Sequence, residues 1–135
     1  MIDKEIIKIA SNTENNGVLD NHTHSSKLKN AICGDEIKVY LIIQDNKILD
    51  FKYECESCIY CQASVSLLSK NAKNKSIEKV KKFTEQAINI FEKNLRSFDE
   101  ELKEFNKIIK KNNISRKECV LLPFKTVAKA LNYKL

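Results

Sequence analysis

Apolar and polar residues change their period along this chain, and the changes divide it into elements. Ile37, Val39, Leu41 and Ile43 alternate with Lys38, Tyr40, Ile42 and Gln44, the period of a strand with one face in a core. A polar turn at residues 44–47 follows, and Leu49, Phe51 and Tyr53 alternate on a second strand. The two predict an antiparallel hairpin. Upstream, residues 4–10 pattern as a short amphipathic helix, residues 11–17 as a polar loop, and the alternation around residues 26–28 as a first strand.

Beyond the hairpin the period lengthens to that of helices. Residues 58–70 contain no breaker, residues 71–75 interrupt, and Ser76 is placed to cap a helix striped by Ile77, Val80, Thr84, Ala87, Ile88, Phe91 and Leu95. Residues 97–100 form an S-x-x-E capping box that predicts a further helix over 98–111, striped by Phe98, Leu102, Phe105, Ile108 and Ile109. Asn112 and Asn113 end it. Pro123 suits the first turn of a last helix, in which Phe124, Val127, Ala128 and Leu131 recur at helical spacing. The expected class is α+β, a small antiparallel three-stranded sheet packed against about five helices, with residues 1–135 as a single domain.

Composition narrows the setting. With 42% hydrophobic residues, two Gly and one Pro, the chain of 135 residues can bury a core without disulfide staples. No apolar run has membrane-spanning length and the first residues lack a signal-peptide core, so a cytoplasmic protein is expected. The net charge of +6 is spread over interleaved signs, a lysine-rich surface rather than a nucleic-acid footprint. An acidic protein partner fits the same charge.

Five cysteines in a reducing compartment point to thiolate chemistry or metal ligation. Cys55, Cys58 and Cys61 are spaced three residues apart where the second strand gives way to a helix, a spacing that places thiols on one side of a turn. Cys33 precedes the first long strand, so hairpin geometry brings it to the same end of the sheet as Cys55 and Cys58. Cys119 lies in the turn entering the last helix; there, and at Cys58, the helix dipole favours a thiolate. His22 and His24 form an H-x-H pair that reads as an exposed loop.

Three blocks in order carry a likeness to a known family: Cys33-Gly34-Asp35 before a strand, Ser57-Cys58-Ile59-Tyr60-Cys61-Gln62-Ala63-Ser64 at a helix start, and Cys119-Val120-Leu121-Leu122-Pro123 before the last helix. With the hairpin between them they resemble the scaffold proteins of iron-sulfur cluster assembly, of the IscU, SufU and NifU N-terminal type. The 61 residues from Cys58 to Cys119 are similar to the longer SufU spacing. Glu118 stands where the IscU branch has a histidine, and the Pro-Pro-Val-Lys motif of that branch is absent. Ser57 replaces the family's glycine, and Asn12-Thr13-Glu14-Asn15 its Asn-Pro-Arg-Asn.

The resemblance implies a SufE/NifU-like fold and a site in which Cys33, Cys58 and Cys119 hold Zn2+ or the iron of a [2Fe-2S] cluster, with Asp35 as the exchangeable fourth ligand. It implies a scaffold or sulfur relay that is not itself an enzyme, or else a zinc-dependent sulfurtransferase. The implied partners are a cysteine desulfurase, which would load persulfide sulfur on Cys119 or Cys58, and downstream SUF-type assembly proteins or apo iron-sulfur proteins. Cys61, one turn after Cys58, is expected either as an auxiliary thiol or as a buried small hydrophobe, and Cys55 as structural. Two other readings stay open: a structural zinc module that only binds partners, and an electron carrier, against which the missing fourth cysteine of a ferredoxin run argues.

Overall fold

The computed structural model describes residues 4–31, 34–92 and 100–133. Strands β1 (His24–Lys29), β2 (Glu36–Gln44) and β3 (Lys47–Glu56) form one antiparallel sheet in the order β1-β2-β3. The expected hairpin closes on Asp45 and Asn46, whose φ values of 53° and 64° give the left-handed two-residue turn that matches strand twist. Ile37, Val39 and Leu41 are fully buried, as their alternation predicts. Leu49 departs from the pattern. Leu41 pairs with Phe51 but Ile43 pairs with Ile48, so β3 carries one extra residue at this point. The bulge flips the parity: Ile48 enters the core and Leu49 turns to solvent.

Four α-helices are described: α1 (Lys4–Ala10), α2 (Ile59–Ala72), α3 (Ile77–Glu92) and α4 (Lys117–Ala130). Helix α2 is buried nearly all round because it lies between α1, α4 and β3, and it buries Cys61, Ala63, Val65, Leu67 and Leu68 together with Ser64, Ser66 and Ser69. Ser76 caps α3 as expected, accepting the Lys79 amide at 3.2 Å. Of the expected stripe of α3, Val80, Thr84, Ala87 and Phe91 are buried and Ile77 and Ile88 half-buried, and Phe83 and Ile90 join the buried face. The polar loop after α1 is bound to α2, with the Ser66 hydroxyl donating to the Asn12 carbonyl and the Asn15 amide to Ser69.

Two expectations are corrected. The region predicted as an α-helix over 98–111 holds a 3-10 segment, Glu100–Lys107, broken at Leu102 (φ −115°, ψ 19°). Buried Leu102, Phe105 and Ile108 recur every third residue, the period of a 3-10 helix. Leu95, Ser97 and Phe98 lie outside the described residues. The last helix begins at Lys117, directly after a second 3-10 segment (Lys111–Arg116), and Pro123 sits inside it. Proline lacks the N–H that would bond the Cys119 carbonyl four residues back, but buried Val120, Leu121, Phe124 and Val127 hold the helix together across that gap.

Candidate metal centre

Three segments distant in sequence meet beside the hairpin. The first is the loop entering β2, closed by the Asn30 amide donating to the Asp35 carbonyl at 2.7 Å and the Gly34 amide to the Asn30 carbonyl at 2.8 Å. Gly34 takes a left-handed φ of 77° with open space about its Cα, so backbone conformation, not crowding, favours glycine. This geometry sets Asp35 in a buried position, 5% exposed, with its Oδ1 accepting the Cys58 amide at 3.0 Å.

The second segment is the start of α2, where Cys58 occupies the cap position in extended conformation and its own side chain makes no capping bond. The third is the first turn of α4, which carries buried Cys119. A hydrogen bond of 2.6 Å from the Ser64 hydroxyl to the Val120 carbonyl ties α2 to this turn.

The ligand atoms of Asp35, Cys58 and Cys119 all lie within 4.8 Å of one another. A tetrahedron of thiolate bonds of about 2.3 Å has edges of about 3.8 Å, so closure by at most about 1 Å brings the three donors onto one ion. Asp35 Oδ2 is buried with no hydrogen-bond partner among the described residues. A carboxylate oxygen in that position is costly unless a cation meets it. Two sulfurs and this oxygen suit zinc or iron.

Of the residues expected in the site, the structure therefore brings together Asp35, Cys58 and Cys119. Cys33, the remaining expected ligand, lies outside the described residues. Cys61 is fully buried in the core one turn into α2. Burial pushes its thiol well above the ordinary range, with the nearby Ser57 hydroxyl pulling the other way. Cys55, half-buried at the end of β3, is pushed up by burial, pulled back by Ser57, and pushed up again by the Asp35 carboxylate. The Ser57 oxygen is buried and makes no hydrogen bond of good geometry among the described residues. Both flanking cysteines thus have their thiols pushed up, and neither joins the group of metal donors among the described residues. His22 bonds the Leu19 carbonyl and His24 the Thr23 hydroxyl, and neither joins a group of metal donors among the described residues.

One pair at the site was not anticipated from sequence. The Arg116 guanidinium lies over the Tyr60 ring, 5.2 Å from its centroid, bridging the starts of α4 and α2. No motif signals it, because the two residues are 56 positions apart and each is ordinary in its own segment.

The model of the NifU-like N terminal domain matches residues 1–109. The chain belongs to this family. An iron-sulfur cluster assembly scaffold protein IscU from Thermotoga maritima is 34% identical over 135 aligned residues, covering 97% of this chain and 92% of that protein. Such coverage leaves only about four residues of this chain unaligned, so it spans Cys119, which the family match does not reach. Among solved structures, a NifU-like N-terminal protein from Brucella abortus shares the fold, with a TM-score of 0.90 at 22% identity and coverage of 96% and 91% of the two chains. A candidate SUF-system cluster assembly scaffold protein from Fervidobacterium islandicum superposes with a TM-score of 0.86 at 28% identity, covering 96% of each chain. IscU-named and SUF-system proteins thus both stand among the relatives of this NifU-like domain. No helix among its described residues is long and apolar enough to cross a membrane.

Proposed function

We propose that this NifU-like domain is an iron-sulfur cluster assembly scaffold whose Cys33, Asp35, Cys58 and Cys119 hold zinc at rest and iron of a nascent [2Fe-2S] cluster as cargo. The observation that carries this reading is the convergence of Asp35, Cys58 and Cys119 from three distant segments on one point, with one buried carboxylate oxygen lacking a partner. The names of the Thermotoga and Fervidobacterium relatives support it. One harder oxygen donor among thiolates leaves a position that opens, which suits a site that must release what it holds.

Sulfur arrives as the persulfide of a cysteine desulfurase. A thiolate of Cys58 or Cys119 attacks the outer sulfur of that persulfide, a new sulfur-sulfur bond forms, and the donor cysteine leaves as its thiolate. Each acceptor sits at the start of a helix, where the positive end of the dipole stabilises the anionic nucleophile. The protein receives and holds the sulfur, and the bond-making power lies with the donor.

Anaerobic reconstitution with ferrous iron and sulfide tests the assignment. The wild-type chain is expected to develop a visible cluster chromophore, and Cys33→Ala, Cys58→Ala and Cys119→Ala are each expected to lose it. Normal assembly in all three variants would overturn the reading. Titration of the zinc form against a desulfurase then separates the roles, since stimulated turnover identifies a sulfur relay and an assembled cluster a scaffold.

A further inference from the structure

Cys58 and Cys119 reach the centre from the first residues of two different helices, so their separation depends on how the starts of α2 and α4 are held. At neither start does the cap residue's own side chain bond the helix, and at α2 the Asp35 carboxylate accepts the Cys58 amide instead. The cap position of α4 is Arg116, whose backbone (φ −108°, ψ 12°) marks the change from the 3-10 segment to the α-helix. Its side chain reaches across to α2 and covers the Tyr60 ring at 5.2 Å. Arg116 lies three residues before Cys119, and Tyr60 two residues after Cys58. The ion is exposed and the ring half-buried, so the contact closes the solvent side, while the Ser64–Val120 bond closes the core side.

We propose that Arg116 and Tyr60 form a clasp that sets the distance between Cys58 and Cys119, acting as positioning residues for the metal centre. This inference rests on the ligand assignment above. A cation over an aromatic ring at a solvent-facing site stabilises modestly, so the clasp tunes the site and does not build it. Its loss lets the first turn of α4 move away from α2, and the two sulfurs lose part of their shared geometry.

The test is a zinc competition against a chromophoric chelator on the full chain. Arg116→Ala and Tyr60→Ala are each expected to weaken zinc binding about fivefold, the size of one such contact. Tyr60→Phe, which keeps the ring, is expected to bind as wild type, and Arg116→Lys to recover part of the loss. The double variant Arg116→Ala/Tyr60→Ala is expected to be no weaker than either single one. Cobalt substitution gives a second readout, a weakened thiolate-to-cobalt band in the alanine variants at unchanged helix content. Affinities within twofold of wild type in both alanine variants, or losses that multiply in the double variant, overturn the clasp alone. Failure of the wild-type chain to hold zinc, or equal retention by Cys58→Ala, removes the ligand assignment and the clasp with it.

Discussion

The two oxygens of Asp35 stand in different surroundings. Oδ1 accepts the Cys58 amide at the start of α2, and Oδ2 is buried without a hydrogen-bond partner among the described residues. If the oxygen ligand is what makes the site labile, Asp35→Cys closes it with a softer, tighter donor. Release of zinc to a chelator is expected to slow at least about tenfold, the low end of what changing even the outer-shell partners of metal ligands does to affinity. An unchanged release rate would take Asp35 out of the ligand set.

The same scale sets a limit on alkaline stability. Tyr40 donates to Glu54 at 2.6 Å, and this bond to a carboxylate, aided by lost hydration, pushes its pKa up to about 12. Tyr53 is pushed up to about 12 by burial. Unfolded tyrosine titrates near 10, so both folded values lie above the unfolded one. The stabilisation is therefore fully present below about pH 10 and lost as pH rises toward 12. Urea unfolding followed from pH 9 to 11.5 should show stability falling in that window, with a shallower fall in Tyr40→Phe. A slope that Tyr40→Phe leaves unchanged would mean that this phenol does not contribute.

At the level of elements, the site depends on the packing of α2 against α4. The Ser64 hydroxyl is fully buried and bonds the Val120 carbonyl, one residue beyond Cys119. Ser64→Ala is expected to cost about 1 kcal/mol in urea unfolding, the net worth of a buried neutral hydrogen bond, and to weaken zinc binding in the same direction. Lost stability without any change in zinc binding would separate the packing from the site. The elements also show what sequence patterning reveals and where it stops. The hairpin and the Ser76 cap follow from local chemistry and are found as expected, and of the α3 stripe Val80, Thr84, Ala87 and Phe91 are buried while Ile77 and Ile88 are half-buried. Leu49 and Ile48 exchange places because a bulge depends on both strands, and alternation along one strand does not record it. Pro123 suggested a helix start, yet tertiary burial of its neighbours carries α4 through it from Lys117. The hairpin brings the segment of Cys33 and Asp35 to the same end of the sheet as Cys58, but the arrival of Cys119 was legible only through the family likeness, since residues 84 positions apart have no periodicity in common.

For the whole molecule, the position of the centre relative to the core distinguishes a scaffold from a structural zinc module. The largest fully buried side chains include Phe51, Phe105, Phe124, Leu41, Ile48 and Leu68, contributed by β2, β3, α2, α4 and the 3-10 segment. The donors lie at the edge of this core, where the β2 loop and two helix starts meet, and Asp35 and Cys119 are each 5% exposed while Cys58 is more open. A fold that buries this much apolar surface apart from its ligands does not need the ion to collapse, unlike small modules that are unfolded without metal. Chelation is therefore expected to leave the far-ultraviolet circular dichroism of the chain nearly unchanged and to lower its melting temperature by several degrees, the loss of a ligand that binds only the folded state. The metal-free chain should also regain zinc and cluster-forming capacity when metal is restored. Unfolding on chelation would instead assign the ion a structural role, and the exchangeable oxygen of Asp35 would then have no function in release.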